Sequence, residues 1–198
     1  MYKTVFQEFE KICSARNISG RVLEIGATPD DSSLLNMKAL GAAVEKVGLN
    51  IDGPHQYRDF SIVKGNANSM TCFEDNSFDA VLCNSVLEHD KYFWKTISEI
   101  KRVTKSGGFI IVGVPGYGSF PGEKVFFSVM KILACLFPGI KNSFLVNSSI
   151  TLRPHHYPAD YYRFSQEVFK DIFFDGMLNV DIRTVMNPPR IIGFGTKP

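Results

Sequence analysis

The chain has no internal repeat, no low-complexity segment and no run of like charge. Its 22 Lys and Arg against 20 Asp and Glu leave a formal net charge of +2, with the basic residues scattered. No nucleic-acid partner is therefore expected. Cysteine is scarce: Cys13, Cys72, Cys83 and Cys135 lie far apart, with no CxxC pair and no zinc spacing. Free buried thiols in a reducing, cytoplasmic setting are the expectation. Residues 1–19 carry charges throughout and no apolar core, unlike a signal peptide. No apolar run reaches bilayer-spanning length; the longest, residues 125–137, is too short and carries Lys131 near its centre.

What is present is an ordinary globular mixture. With 198 residues, 44% apolar and 21% charged, the chain can bury a sizeable core as a single domain, 1–198. Its 17 Phe and 7 Tyr are concentrated after Lys91, and an aromatic cover there suggests a small or sugar-like ligand.

The organising stretch is RVLEIGATPDD at 21–31. Val22, Leu23 and Ile25 are β-formers of a buried parallel strand, and Gly26 starts a tight turn. Asp31 and Ser32 can cap a helix through Leu34, Leu35 and Met37 that stops at Gly41. In open α/β sheets ligands bind outside the carboxyl ends of the strands, where this turn lies. Glu24 is out of place, because a carboxylate inside an apolar strand is unfavourable unless partnered. The partner is either a ligand ammonium or hydroxyl, or a backbone or basic group of the chain itself.

Around this stretch the pattern alternates. An amphipathic helix over 1–17 precedes the first strand, with Val5, Phe6, Phe9, Ile12 and Cys13 at helical spacing. Strands follow at 44–51, 61–63, 78–84 and 109–114, and a helix runs from Leu87 to about Thr104 with Trp94, Ile97, Ile100 and Val103 on one face. Such alternation implies a parallel sheet with right-handed crossovers. Residues 116–164 read as an inserted helical or irregular cover. Its apolar stretch 125–137 is a buried or lid helix, or one that meets a membrane or partner. A helix that Ser165 can cap spans 165–174, and strands at 180–185 and 190–194 close the sheet as an antiparallel pair.

Five stretches, VLEIGA, VGLNID, GNANSM, FDAVLCNSVLEH and IKRVTKSGGFIIVGVP, resemble in order the class I S-adenosylmethionine-dependent methyltransferases, in particular their small-molecule branch with a type 11-like methyltransferase domain. The likeness covers about residues 20–115, together with DYYRFSQEVFKDIF further on. It implies a Rossmann-like, seven-stranded, mostly parallel sheet with one antiparallel strand and helices on both faces. The implied cofactor is S-adenosylmethionine, and the implied reaction is methyl transfer to a small-molecule or sugar- or lipid-linked acceptor.

By that resemblance, Glu24, Gly26 and Ala27 meet the methionine and ribose end of the cofactor. Asn50 stands where the family has an acid for the ribose hydroxyls, and Asp52, on the same side of an extended strand, can take over. Asn66 and Ala67 meet adenine, Met70 packs on the ring, and Asn84 and Ser85 lie beside the methyl group. His89 is the candidate base, or else a histidine at a helix start with no catalytic part. His155 and His156 are candidate substrate contacts; as a zinc pair they lack a third ligand, so no metal is expected. Tyr161 and Arg163 line the substrate entrance or pack the cover on the sheet. Thr28 and Asp30 replace the second and third glycines of the family turn, which favours a variant turn and leaves a non-catalytic binding or scaffold protein as the alternative. A nicotinamide-dependent oxidoreductase is disfavoured, since the turn lacks GxGxxG.

Overall fold

The computed structural model describes residues 1–118, 128–129, 132–133, 135–137, 150–155, 159–186 and 188–198. Helix α1 (Lys3–Ser14) leads into β1 (Gly20–Ile25) and β2 (Ala43–Asn50). Then come β3 (His55–Tyr57), β4 (Phe60–Lys64), β5 (Phe78–Asn84), α2 (Phe93–Val103) and β6 (Thr104–Pro115). The short strands β7 (Tyr117–Gly118) and β8 (Ile150–Thr151) pair with each other. Helix α3 (Gln166–Val168), β9 (Leu178–Met186) and β10 (Pro189–Thr196) complete the chain.

The main sheet has eight strands in the order β3-β4-β2-β1-β5-β6-β10-β9. The pairs β4–β2, β2–β1, β1–β5 and β5–β6 are parallel, whereas β3–β4, β6–β10 and β10–β9 are antiparallel. This is the expected mostly parallel sheet with its closing antiparallel pair, extended by one short edge strand, β3. Alternation along the strands sorts the core into two layers. Leu23, Ile25, Val81, Cys83, Val112 and Val114 face α2 and the aromatic second half. Val22, Ala80, Leu82 and Ile111 face α1. There Phe9 of α1 is fully buried, and a Cβ on Gly113 of β6 would come within 2.8 Å of its ring. That closeness is why a glycine interrupts the most apolar strand.

Three elements differ from the sequence expectation. The helix expected from Leu34 to Leu40 is two 3-10 turns, Leu34–Asn36 and Lys38–Leu40. Met37 between them is extended (ψ 135°) and buried, and Ser33 rather than Asp31 or Ser32 caps the first turn. The helix expected from Leu87 begins only at Phe93. Asp90 holds the preceding turn by accepting from the Tyr92 amide (2.8 Å) and the Thr96 hydroxyl (2.7 Å). Trp94 is 49% exposed, because Phe93 takes the inward position against Tyr162, Phe164 and Phe173. The helix expected over 165–174 is only α3 followed by a π-helical turn, Phe169–Phe173. That turn sets Phe169 and Phe174 directly over Gly193 of β10, where a Cβ would come within 2.4 Å of Phe169.

Of residues 125–137, positions 125–127, 130–131 and 134 fall outside the described residues; of those described there, Val129, Ile132, Leu136 and Phe137 are exposed. Among the described residues, no helix is long and apolar enough to cross a membrane.

Candidate active site

A cleft of about 510 Å³ opens beyond the carboxyl ends of β1, β2, β4 and β5. It falls within the size range of small-molecule sites and lies where a doubly wound sheet binds ligands. Gly26, Thr28, Asn50, Asp52, Asn66, Ala67, Ser85 and His89 are among the residues that line it. Gly26 has φ +80°, and a Cβ there would meet Val86 Cγ2 at 2.4 Å. The turn therefore requires glycine both for its backbone and for its space.

Thr28 and Asp30 take no left-handed backbone. Asp30 instead accepts from the Ser32 amide at 2.7 Å, and its bonds to Ser32 hold its carboxyl below the usual range. The turn is thus closed by side chains where a glycine-rich loop would use its backbone. Asp30 does not line the cleft.

Of the other residues expected around the cofactor, several lie under the cleft. Glu24 is buried and accepts from the Ser33 hydroxyl at 2.5 Å and from the Leu34 and Leu35 amides at 3.1 and 3.3 Å. Burial pushes its carboxyl up to about 7, against the pull of those three bonds. Its structural work is to hold the first 3-10 turn. Ala27 and Met70 are fully buried. Asn50 donates to the Ala27 carbonyl (2.7 Å) and accepts from the Asp52 amide (3.1 Å), which leaves Asp52 as the exposed carboxylate at this edge of the cleft. Asn68, not singled out in the sequence, bridges the far wall by donating to Asp90 (2.6 Å) and Thr96 (2.8 Å).

A second cavity of about 470 Å³ adjoins the first and is lined by Tyr2, Asn84, Ser85, Arg153, His155 and Arg190, among others. Ser85 and His155 line both spaces. Ser85 adopts φ +59°, a sparsely populated conformation for a side-chain-bearing residue, and its hydroxyl accepts from Arg190 at 2.5 Å. The strain therefore sits where the two spaces meet.

Below this junction lies a buried charge cluster that sequence reasoning missed. Glu88 and Arg190 are 0% and 3% exposed. Arg190 Nη2 stands 3.6 Å from Glu88 Oε1, an ion pair without a hydrogen bond. Among the described residues, the only buried side-chain polar atoms with no hydrogen-bond partner are both Glu88 oxygens and Arg190 Nε. Burial raises the Glu88 carboxyl, partly offset by the Arg190 charge. The available signal was Arg190 inside an apolar strand, which demands a buried counter-charge.

His89 Nδ1 contacts the Ala159 carbonyl, and its Nε2 is 3.9 Å from Glu88 Oε1. His155 Nδ1 is 3.3 Å from Asp160 Oδ2, and burial lowers the pKa of the ring. Arg163 grips both oxygens of Asp160 and donates to the Leu152 carbonyl at 3.0 Å. The guanidinium holds the Asp160 carboxyl down at about 2. Tyr161 is 52% exposed and does not line the cleft, but its amide donates to the Glu88 carbonyl at 2.7 Å. Arg163 thus braces the cover internally, while the Tyr161 backbone ties it to the segment that follows β5. His156 lies outside the described residues.

Residues 30–112 match the family described as "Methyltransferase domain". A Methanocaldococcus jannaschii protein, "Uncharacterized protein MJ1123", is 35% identical over 105 residues, 52% of this chain and 49% of that protein. The chain spans half or less of the length of the curated relatives it matches. Among solved structures, Burkholderia thailandensis 1,6-didemethyltoxoflavin-N1-methyltransferase, with bound 1,6-didemethyltoxoflavin and S-adenosylhomocysteine, aligns with TM-score 0.66 at 12% identity, over 98% of this chain and 79% of that one. Haemonchus contortus phosphoethanolamine N-methyltransferase 2, in complex with phosphomonomethylethanolamine and S-adenosylhomocysteine, aligns with TM-score 0.62 at 14% identity, over 99% of this chain and 53% of that one. At these identities the structural likeness concerns the fold.

Proposed function

We propose, from the premise that the chain belongs to the class I S-adenosylmethionine-dependent methyltransferase family, that it binds S-adenosylmethionine in the larger cleft and methylates a small molecule held in the adjoining cavity. The observation that carries this reading is the meeting of the two spaces at Ser85 and His155, beyond the carboxyl ends of the parallel strands. When bound, the cofactor supplies a methyl group activated on its sulfonium. The chain's part is then mainly alignment and exclusion of water.

Asp52 is the carboxylate proposed to accept from the ribose hydroxyls, because both polar ends of the Asn50 side chain already have local partners. Gly26 allows close backbone approach, and Asn66 and Ala67 form the adenine side. Glu24 and Met70 act from below, Glu24 by fixing the turn. The Nδ1 proton of His89 points to a backbone carbonyl, so Nε2 presents a lone pair towards the junction, available to a proton or a cation. His89 is therefore the side chain proposed to activate the acceptor. The acceptor is a small molecule, free or linked to a sugar or lipid, and Arg153 and Arg190 favour one that carries negative charge. All four cysteines are free, Cys13 and Cys83 buried as expected but Cys72 and Cys135 exposed, and free thiols suit a reducing, cytoplasmic setting.

Calorimetric titration with S-adenosylhomocysteine tests the reading. Micromolar binding that falls at least tenfold in Asp52→Ala is the expected outcome. No binding at millimolar ligand would turn the side-chain-closed first turn into evidence for a scaffold protein of this fold.

A further inference from the structure

We propose that Glu88, His89 and His155 form a binding site for a divalent transition-metal ion of zinc-like preference, at the junction of the cleft and the acceptor cavity. Each residue offers one ligand atom, and the three atoms lie within 4.8 Å of one another. Zinc bonds of about 2.0–2.2 Å bring ligand atoms somewhat closer than that. His155, whose side chain is 46% exposed, can make the adjustment by a small rotation.

The hydrogen bonding behind the two imidazoles suits ligation. A carbonyl oxygen can only accept, so His89 Nδ1, in contact with the Ala159 carbonyl, carries the proton. Its Nε2 is then an unprotonated donor of electrons, 3.9 Å from Glu88. His155 Nδ1 faces Asp160 Oδ2, an oxygen that also accepts from the His155 amide and from Arg163, so the proton of that ring belongs on Nδ1 as well. Each ring is thus backed by an oxygen acceptor that fixes its tautomer, the arrangement that orients metal-ligating histidines.

Glu88 supplies the independent observation. It is fully buried, and neither of its oxygens has a hydrogen-bond partner. Arg190, at 3.6 Å, balances its charge without meeting its lone pairs. A carboxylate and two imidazole nitrogens, all acceptors, converge with no donor among them. A proton could satisfy one of these atoms, whereas a cation satisfies all three. The sequence hid this set because its third ligand comes from the cover, far from the adjacent pair Glu88 and His89.

Three protein ligands leave a coordination position open, as in catalytic zinc sites. On the methyltransferase reading above, that position takes an oxygen or nitrogen of the acceptor and lowers its affinity for a proton.

The test uses full-length protein without a histidine tag, stripped with chelator. Zn2+ is titrated in competition with a chromophoric chelator, and Co2+ is followed by its visible spectrum. Wild-type protein is expected to take up one equivalent of either ion. His155→Ala and Glu88→Gln should each weaken binding at least tenfold, while Arg153→Ala, in the same cavity but outside the ligand set, should not. Should Glu88→Gln fail to fold, His155→Ala, on an exposed segment, still decides. Absence of stoichiometric binding by wild-type protein, or equal affinity in the ligand variants, overturns the site. A parallel S-adenosylhomocysteine titration separates the two readings. Metal uptake without nucleoside binding would sink the methyltransferase reading alone, and the reverse would sink the metal site alone.

Discussion

Two carboxylates lie buried beside the same cleft, and their surroundings are opposite. Donors converge on Glu24: the Ser33 hydroxyl and the amides of Leu34 and Leu35. Around Glu88 no donor comes within hydrogen-bond reach, and the nearest charge, Arg190, stands off at 3.6 Å. Burial raises both groups. The contrast shows that a carboxylate among apolar residues does not by itself mark a ligand site; what separates the two is whether the chain supplies the partners. Glu24 has been absorbed into the scaffold, while Glu88 still lacks them.

The largest effect is expected at the satisfied group. Glu24→Ala strands the buried Leu34 amide and the Ser33 hydroxyl and leaves the Leu35 amide only its bond to Ser33, and should lower stability by about 2–4 kcal/mol, read from the denaturant midpoint at unchanged slope. If the loss were under about 1 kcal/mol, Glu24 would not be holding the turn.

A pH dependence of about 3 kcal/mol follows from the same residue. Its folded pKa of about 7 lies above its ordinary value of 4.5. Between those values the folded chain keeps a proton that the unfolded chain has released. Stability is therefore full below pH 4.5 and declines as pH rises through 7. Glu24→Gln should flatten that slope in denaturation measured from pH 4.5 to 8. An unchanged slope would assign it to other groups, Glu88 first.

A step smaller again is expected at the turns. Gly26→Ala meets both a φ of +80° and Val86 at 2.4 Å, whereas Gly107→Ala meets a φ of +77° and open space. The second should cost about 1–2 kcal/mol and leave S-adenosylhomocysteine affinity alone. The first should cost more and weaken that affinity, because Val86 lines the cleft. Equal melting temperatures for the two variants would mean that the Val86 contact relaxes freely.

Much of the fold was legible because it is written in local periodicity. The β-forming Val22, Leu23 and Ile25, the apolar run FDAVLCN and the spacing of α1 each follow from burial on a sheet or helix face. The 3-10 turns after β1 were not legible, because Leu34 and Leu35 satisfy any apolar pattern. What holds them is a carboxylate ten residues earlier in the case of Leu34. The late start of α2 depends on Asp90 reaching forward, and the exposure of Trp94 depends on aromatic partners from the far end of the chain. The site divides in the same way. Gly26, Asp52, Asn66 and Ser85 could be placed at the cleft from their positions after strands. The pairing of Glu88 with Arg190, and the approach of His155 to His89 at 4.9 Å between ring centres, are long-range and left only the faint sign of an arginine inside an apolar strand.

The smallest effect on stability is expected from removing the unsatisfied pair altogether. Glu88→Leu with Arg190→Met replaces two desolvated charges by apolar side chains of similar volume. The desolvation of such a pair offsets its attraction, so metal-free protein should change by no more than about 1 kcal/mol in either direction. Ser85 would lose the bond from Arg190 that accompanies its strained backbone, which works against any gain. Zinc uptake should vanish in the same protein. A double variant that unfolds would mean that Glu88, like Glu24, belongs to the scaffold. One that stays folded and loses the metal keeps the two carboxylates in the separate roles their surroundings indicate.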